Sequence, residues 1–139
     1  MFSGYILKFG NAILPNKFLE MESYSATPDQ RIELDAYRDA TGLLHRNTLP
    51  SYKTKIVFTV KPITQTDKEQ LFSVFNNGRN ENFYKERKYK IQYWNFDTDS
   101  YKTGYFYMVD PEYVIRRIDN KVNPPQIYYN PIKYTFIEY

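Results

Sequence analysis

Apolar and polar residues alternate along most of this chain, and that alternation gives way to a helical period once. A period of two is the mark of a strand, whose successive side chains leave opposite faces. In KTKIVFTVK, residues 53–61, Ile56, Phe58 and Val60 share one face, and Lys55, Thr59 and Lys61 take the other. Tyr89, Ile91 and Tyr93 alternate in the same way with Lys88, Lys90 and Gln92. After Pro62 the period changes. Leu71, Val74 and Phe75 fall on one helical stripe, Thr66 and Glu69 fit a capping box, and Asn77-Gly78 fits a helix stop. The pattern predicts one helix at about residues 66–77 in an otherwise β-rich chain. The 15 tyrosines and 10 phenylalanines agree, because aromatic side chains suit a pleated, half-buried surface.

The remaining elements are read from turn chemistry. Gly10-Asn11 offers a tight turn between residues 5–9 and Ala12-Ile13-Leu14. Residues 17–25 read as extended and stop at Thr27-Pro28-Asp29. Residues 30–49 read as a hairpin that reverses at Ala40-Thr41-Gly42, too polar for a core and suited to a projecting ribbon. Asp97 to Ser100 is a turn cluster, and Tyr105 to Val109 returns as a hairpin arm. Residues 113–118 and 127–138 read as extended, the latter interrupted at Pro131. With 139 residues and no internal repeat or linker, one domain is expected over 1–139.

Much chemistry is excluded by residue type. Without cysteine there is no disulfide, thiolate metal site or thiol nucleophile. The five glycines form no phosphate-binding spacing. The amino-terminal stretch does not read as a secretory signal, and no apolar run reaches the roughly 20 residues of a membrane span. His45, the single histidine, has no other ligand type near it in sequence and reads as a hairpin side chain at solvent or an interface. Asp97 and Asp99 read as turn residues and lack the further ligands of a calcium loop. No metal, cofactor or catalytic residue is expected. FYKERKYKIQYW, residues 83–94, interleaves Lys85, Arg87, Lys88 and Lys90 with aromatics. It keeps open an alternative, a β-barrel that binds single-stranded nucleic acid. The simpler reading puts its aromatics in the core and its lysines in water. A formal charge of +3 is mild for a dedicated duplex binder.

The order of these pieces resembles a family of small siphophage and prophage tail proteins, largely of unknown function. YILKFGNAILP is similar to its opening strand and turn, and RDATGLLHR to its central hairpin. KTKIVFTVKPITQTDKEQLFSVF is similar to its strand and Thr-led helix, KYKIQYWNFDTDSYKTGYFYMVD to its later hairpin, and IKYTFIEY to its last strand. The resemblance implies a mainly β fold. Its form would be a tail-tube-like β-sandwich or half-barrel with one flanking helix and a projecting hairpin. It also implies a non-enzymatic structural component of a tailed bacteriophage virion, made in the host bacterial cytoplasm. Such a tail-tube or distal-tail (baseplate) subunit joins a ring, often of six, with other tail or baseplate proteins as partners. No membrane is involved, and DNA enters only as passage through a channel. Arg31, Asp35, Tyr37, Arg38, His45 and Arg46 on the hairpin, with Arg116 and Arg117, are the expected subunit contacts, since tyrosine and arginine are enriched at interface hot spots.

Overall fold

A computed structural model describes residues 1–139. Its main sheet has seven strands, all antiparallel to their neighbours: β1 (Leu7–Phe9), β2 (Ala12–Ile13), β3 (Ser25–Gln30), β6 (Lys53–Val60), β8 (Lys88–Asn95), β9 (Ser100–Met108) and β12 (Ile132–Glu138). Their order is β2-β1-β8-β9-β12-β6-β3. A small sheet, β10-β11-β7, is built from β7 (Ile63–Thr64), β10 (Ile115–Asp119) and β11 (Gln126–Tyr129). The remaining pair, β4 (Glu33–Arg38) and β5 (Leu44–Thr48), forms a separate hairpin. The helix α1 spans Gln65–Asn77. The fold is mainly β with one principal helix, as expected.

The main sheet curls. In a flat sheet β1 and β12, three strand steps apart, would lie about 14 Å from each other. Yet the rings of Phe9 and Phe136 are 5.5 Å apart between centroids. Thr54 of β6 and Tyr93 of β8 are also three steps apart, and their hydroxyls meet at 3.0 Å. The alternation in β6 and β8 places Ile56, Phe58, Val60, Tyr89, Ile91 and Tyr93 on the concave face, all buried. Leu71 and Phe75 of α1 fill that concavity, and Val74 packs at its margin. The small sheet lies against α1, where Phe72 meets Tyr113 and the Lys68 ammonium sits over the Tyr113 and Tyr129 rings.

Several local expectations are corrected. The helix starts earlier, with Thr64 rather than Thr66 as its cap. Asp67 N–H donates to Thr64 Oγ1 at 3.3 Å, and Thr64 N–H donates to Asp67 Oδ2 at 3.4 Å. Pairing of β7 with β11 holds the chain extended only as far as Thr64, so the first eligible cap wins. Gly78 closes the helix at φ −93°, not in the left-handed region. Its reason is space: a Cβ there would meet the Lys90 carbonyl oxygen at 2.9 Å. Gly10, by contrast, needs both freedoms. It turns at φ +60°, and a Cβ would lie 2.3 Å from the Asn77 carbonyl oxygen.

Residues 17–25 are not a strand. Two single 3₁₀ turns, Asn16–Phe18 and Met21–Ser23, occupy most of the segment and bury Phe18 and Leu19. Strand β3 instead begins at Ser25 and runs through Pro28. It is an edge strand with a register shift between Thr27 and Gln30, the setting in which a strand tolerates proline. Asp29, at φ +49° beside that shift, accepts from Asn95 Nδ2 at 2.9 Å and pairs with Lys102 Nζ at 3.2 Å. The Asn95 hydrogen bond, helped by Lys102, holds its carboxyl below the usual range. Asp29 thereby ties the far edge of the curled sheet to β8 and β9. The interruption at Pro131 is larger than expected, since β11 and β12 belong to different sheets.

Candidate functional site

The expected contact residues fall on two separate elements. The first is the hairpin. Its strands pair from Glu33↔Thr48 to Arg38↔Leu44, and Leu49 N–H donates to the Ile32 carbonyl at 2.9 Å. The reversal matches the sequence reading: Gly42, at φ +88°, donates its N–H to the Asp39 carbonyl at 3.0 Å. A register shift between Glu33 and Asp35 makes Leu34 an extra, unpaired residue. The strict alternation expected along this arm is therefore interrupted there.

Every residue of β4 is exposed, and so are the first four of β5. The hairpin is held from within. Arg46 pairs with Glu33, Arg38 Nη1 donates to the Gly42 carbonyl at 2.9 Å, and the Tyr37 and His45 rings stack at 4.9 Å. At its base Arg31 donates to the Asp29 carbonyl and lies 4.1 Å over the Tyr52 ring. Asp35 makes no ion pair or side-chain hydrogen bond. The hairpin also carries apolar residues that the chain leaves largely exposed: Leu34 is 59% exposed and Leu43 61%, with Ile32, Tyr37 and Leu44 exposed as well.

Asp39 organises the tip. Its Oδ1 accepts from Thr41 N–H at 2.9 Å, Thr41 Oγ1 at 2.7 Å and Leu43 N–H at 3.1 Å, and its Oδ2 lies 2.9 Å from His45 Nε2. The His45 hydrogen bond first, then that of Thr41, lowers its pKa from 3.8 to about 2. A carboxyl depressed in the folded state contributes above its unfolded value, and the contribution fades as pH falls through the folded one. The Thr41 and Leu43 amide resonances should therefore hold their positions down to about pH 4 and shift with a midpoint near 2. A midpoint at the ordinary carboxylate value in an NMR titration would show that the tip network does not form.

The second element is β10, the free edge of the small sheet. Arg116 is the extra residue where the register shifts between Ile115 and Arg117. The Arg117 guanidinium lies 3.8 Å over the Tyr128 ring and 4.0 Å from Asp119. Ile115 and Ile118 are both more than half exposed. No hydrogen bond, ion pair or aromatic contact joins β10 to the hairpin, so one chain does not bring the two arginine groups together.

The aromatic and basic segment splits between environments. Tyr89 and Tyr93 belong to the core, and burial pushes the Tyr89 phenol up to about 12. Phe83 and Tyr84 lie in a four-residue helix, α2 (Phe83–Glu86), which the residue pattern did not reveal. Of those two, only Tyr84 is fully in solvent, at 87% exposure. Lys88 and Lys90 leave the opposite face of β8. No group of three or more His, Asp or Glu side chains stands close enough together to hold a metal ion. No helix is long and apolar enough to cross a membrane.

Residues 1–139 match the model of a family of unknown function, DUF6711, from end to end. The chain belongs to that family. No curated protein matches it. Among solved structures, this DUF6711 chain is similar in fold to one from the tail of an empty gene transfer agent particle, refined helically with C6 symmetry. It is equally similar to a chain of the virion of a native gene transfer agent particle. In each case the TM-score is 0.51 at 11% sequence identity, over 100% of this chain and 95% of the other. Those values establish a shared fold.

Proposed function

We propose that this chain is a non-enzymatic structural subunit of a phage-like particle, acting as one tail-tube-like domain over residues 1–139. In this reading it is a tail or baseplate component that joins copies of itself into a ring, on which other tail proteins stack. It is made in the host bacterial cytoplasm and ends in the tail of the virion. The fold shared with a chain of a C6-symmetric tail supports a ring of six. The carrying observation is the hairpin. A two-stranded ribbon is marginal alone in water, and this one leaves Ile32, Leu34, Leu43 and Leu44 each more than two-fifths exposed. A neighbour that buries those side chains stabilises both. The charged residues Arg31, Asp35, Arg38 and Arg46, with the polar His45, then fix register more than affinity, since exposed ion pairs contribute only about 0–1 kcal/mol each. Arg116 and Arg117, on the open edge of β10, form the second contact, and a ring covers such edges. Purified protein should give a concentration-dependent ring species by mass photometry and particle imaging. A species that stays monomeric up to roughly millimolar concentration, where even weak contacts fill, would overturn self-assembly.

A further inference from the structure

The register of the main sheet gathers a charge pattern that no single stretch of sequence shows. On five adjacent strands, β1, β8, β9, β12 and β6, the residues that point away from the core include Lys8, Lys53, Lys55, Lys88, Lys90 and Lys133. The other outward positions on these strands are Thr, Gln, Val, Ile, Tyr and Trp, and not one is a carboxylate. Glu138, the only acidic residue on the five, lies on the concave side, where its Oε1 accepts from Thr54 N–H at 2.9 Å. None of the six lysines is in an ion pair. At the rim of this face Asp110 and Glu112 share a recess with Lys133, yet six lysines on one face of a chain with a net charge of +3 leave the rest of the molecule net negative. The asymmetry is therefore much stronger than the net charge suggests.

Two details add shape. Tyr105 and Tyr107 of β9 stand between the lysines of β8 and those of β12 and β6, and the Lys88 ammonium lies 4.3 Å over the exposed Tyr139 ring. Lys8 and Lys90, with Gly10, Gln92 and Thr103, also line a recess of about 150 Å³ that contains no apolar side chain. That is roughly five times the share of one water in the liquid, which is room for a phosphate group between two ammonium groups.

We infer that this convex face binds the phosphate backbone of a nucleic acid without regard to sequence. The composition decides between polyanions. Protein–protein interface cores are depleted in lysine, whereas lysine clustered on one face is the footprint of a nucleic-acid contact, and exposed tyrosines beside it offer stacking. The inference stands on register and charge and does not depend on ring assembly. The test is fluorescence anisotropy of the full chain with a mixed-sequence oligonucleotide of roughly 20 nucleotides, single-stranded and duplex, between about 50 and 200 mM salt. If six phosphates are neutralised, single-strand affinity should fall more than roughly a hundredfold over that range. Lys8→Gln with Lys90→Gln should flatten the log–log salt slope by about 1.4, while Lys17→Gln with Lys121→Gln, an equal change of charge at exposed positions elsewhere, should leave it in place. A wild-type slope near zero, equal loss in both double variants, or displacement of the oligonucleotide by polyglutamate of matched charge would each overturn the assignment. The last would mark an acidic protein surface instead. The wild-type slope keeps the test decisive even if a variant folds poorly.

Discussion

A protein whose hairpin tip is removed should remain folded and stop assembling. The variant deletes Asp39 to Leu44 and joins Arg38 to His45 through two glycines. Tyr37 and His45 are paired directly across the ribbon, so the deletion alone would leave one residue for the turn. Two glycines restore a three-residue loop, a length that hairpins accept. Folding should survive because every residue of β4 is exposed and the deleted segment contributes nothing to the core. Melting temperature should change little. Assembly should not survive, because the deletion removes Leu43 and Leu44 and the Asp39 network that holds them. Leu43 is 61% exposed and Leu44 43%, so burial of the remainder by a neighbour contributes about 1–2 kcal/mol each, and a closed ring repeats the loss at every interface. Replacing both leucines by serine should act in the same direction with the tip network intact. Rings of wild-type size and abundance from the deletion variant, seen by particle imaging, would remove the hairpin from the interface.

How much of this molecule was legible in its sequence depended on burial. Strands β6 and β8 were readable because one face of each is buried and the other solvated, which is what writes a period of two into a sequence. The first half of β9 was missed. Tyr101 and Tyr105 lie on its outer face and Gly104 on its inner one, so apolar and polar positions do not alternate as they do in β8. Residues 17–25 misled for the opposite reason. Phe18 and Leu19 are both buried although adjacent, which two short turns allow and a single strand face does not. Helix α1 was clear, but Thr64-x-x-Asp67 and Thr66-x-x-Glu69 are equally good capping signals in sequence, and only the pairing of β7 chooses between them.

The candidate site was legible in the same uneven way. The hairpin declared itself by polarity, and the residues proposed as its contacts sit on one continuous ribbon. The pairing of His45 with Asp39 and its stacking on Tyr37 are cross-strand facts that follow once the turn is placed at Ala40-Thr41-Gly42. The lysine face was not legible. Its six residues come from four strands spread between positions 8 and 133, and each strand alone shows only an ordinary solvated side. Register converts four bland patterns into one charged surface. Lys88 and Lys90 of residues 83–94 belong to that surface, Lys85 lies apart on α2, and Tyr89 and Tyr93 of the same segment belong to the core.

Truncating Phe75 to alanine should cost about 3–5 kcal/mol of folding stability, a large share of the roughly 5–15 kcal/mol of a typical domain. Phe75 is the side chain that α1 inserts into the curl of the main sheet, and it is 1% exposed. Its ring lies 4.7 Å from Phe9 on β1, 5.2 Å from Tyr134 on β12 and 6.1 Å from Phe136, with Tyr89 of β8 at 6.4 Å. Three strands of the concave face therefore converge on one residue. They cannot collapse into the space it leaves, because the backbone hydrogen bonds of β1, β8 and β12 hold their separation. The cavity cost is then added in full to the lost transfer energy, with the edge-on ring contacts contributing further. Phe75→Leu should cost clearly less, since leucine fills much of the same space. Urea denaturation of the three proteins should rank wild type above Phe75→Leu above Phe75→Ala. A loss below about 1 kcal/mol for the alanine variant would mean that the helix does not plug the sheet.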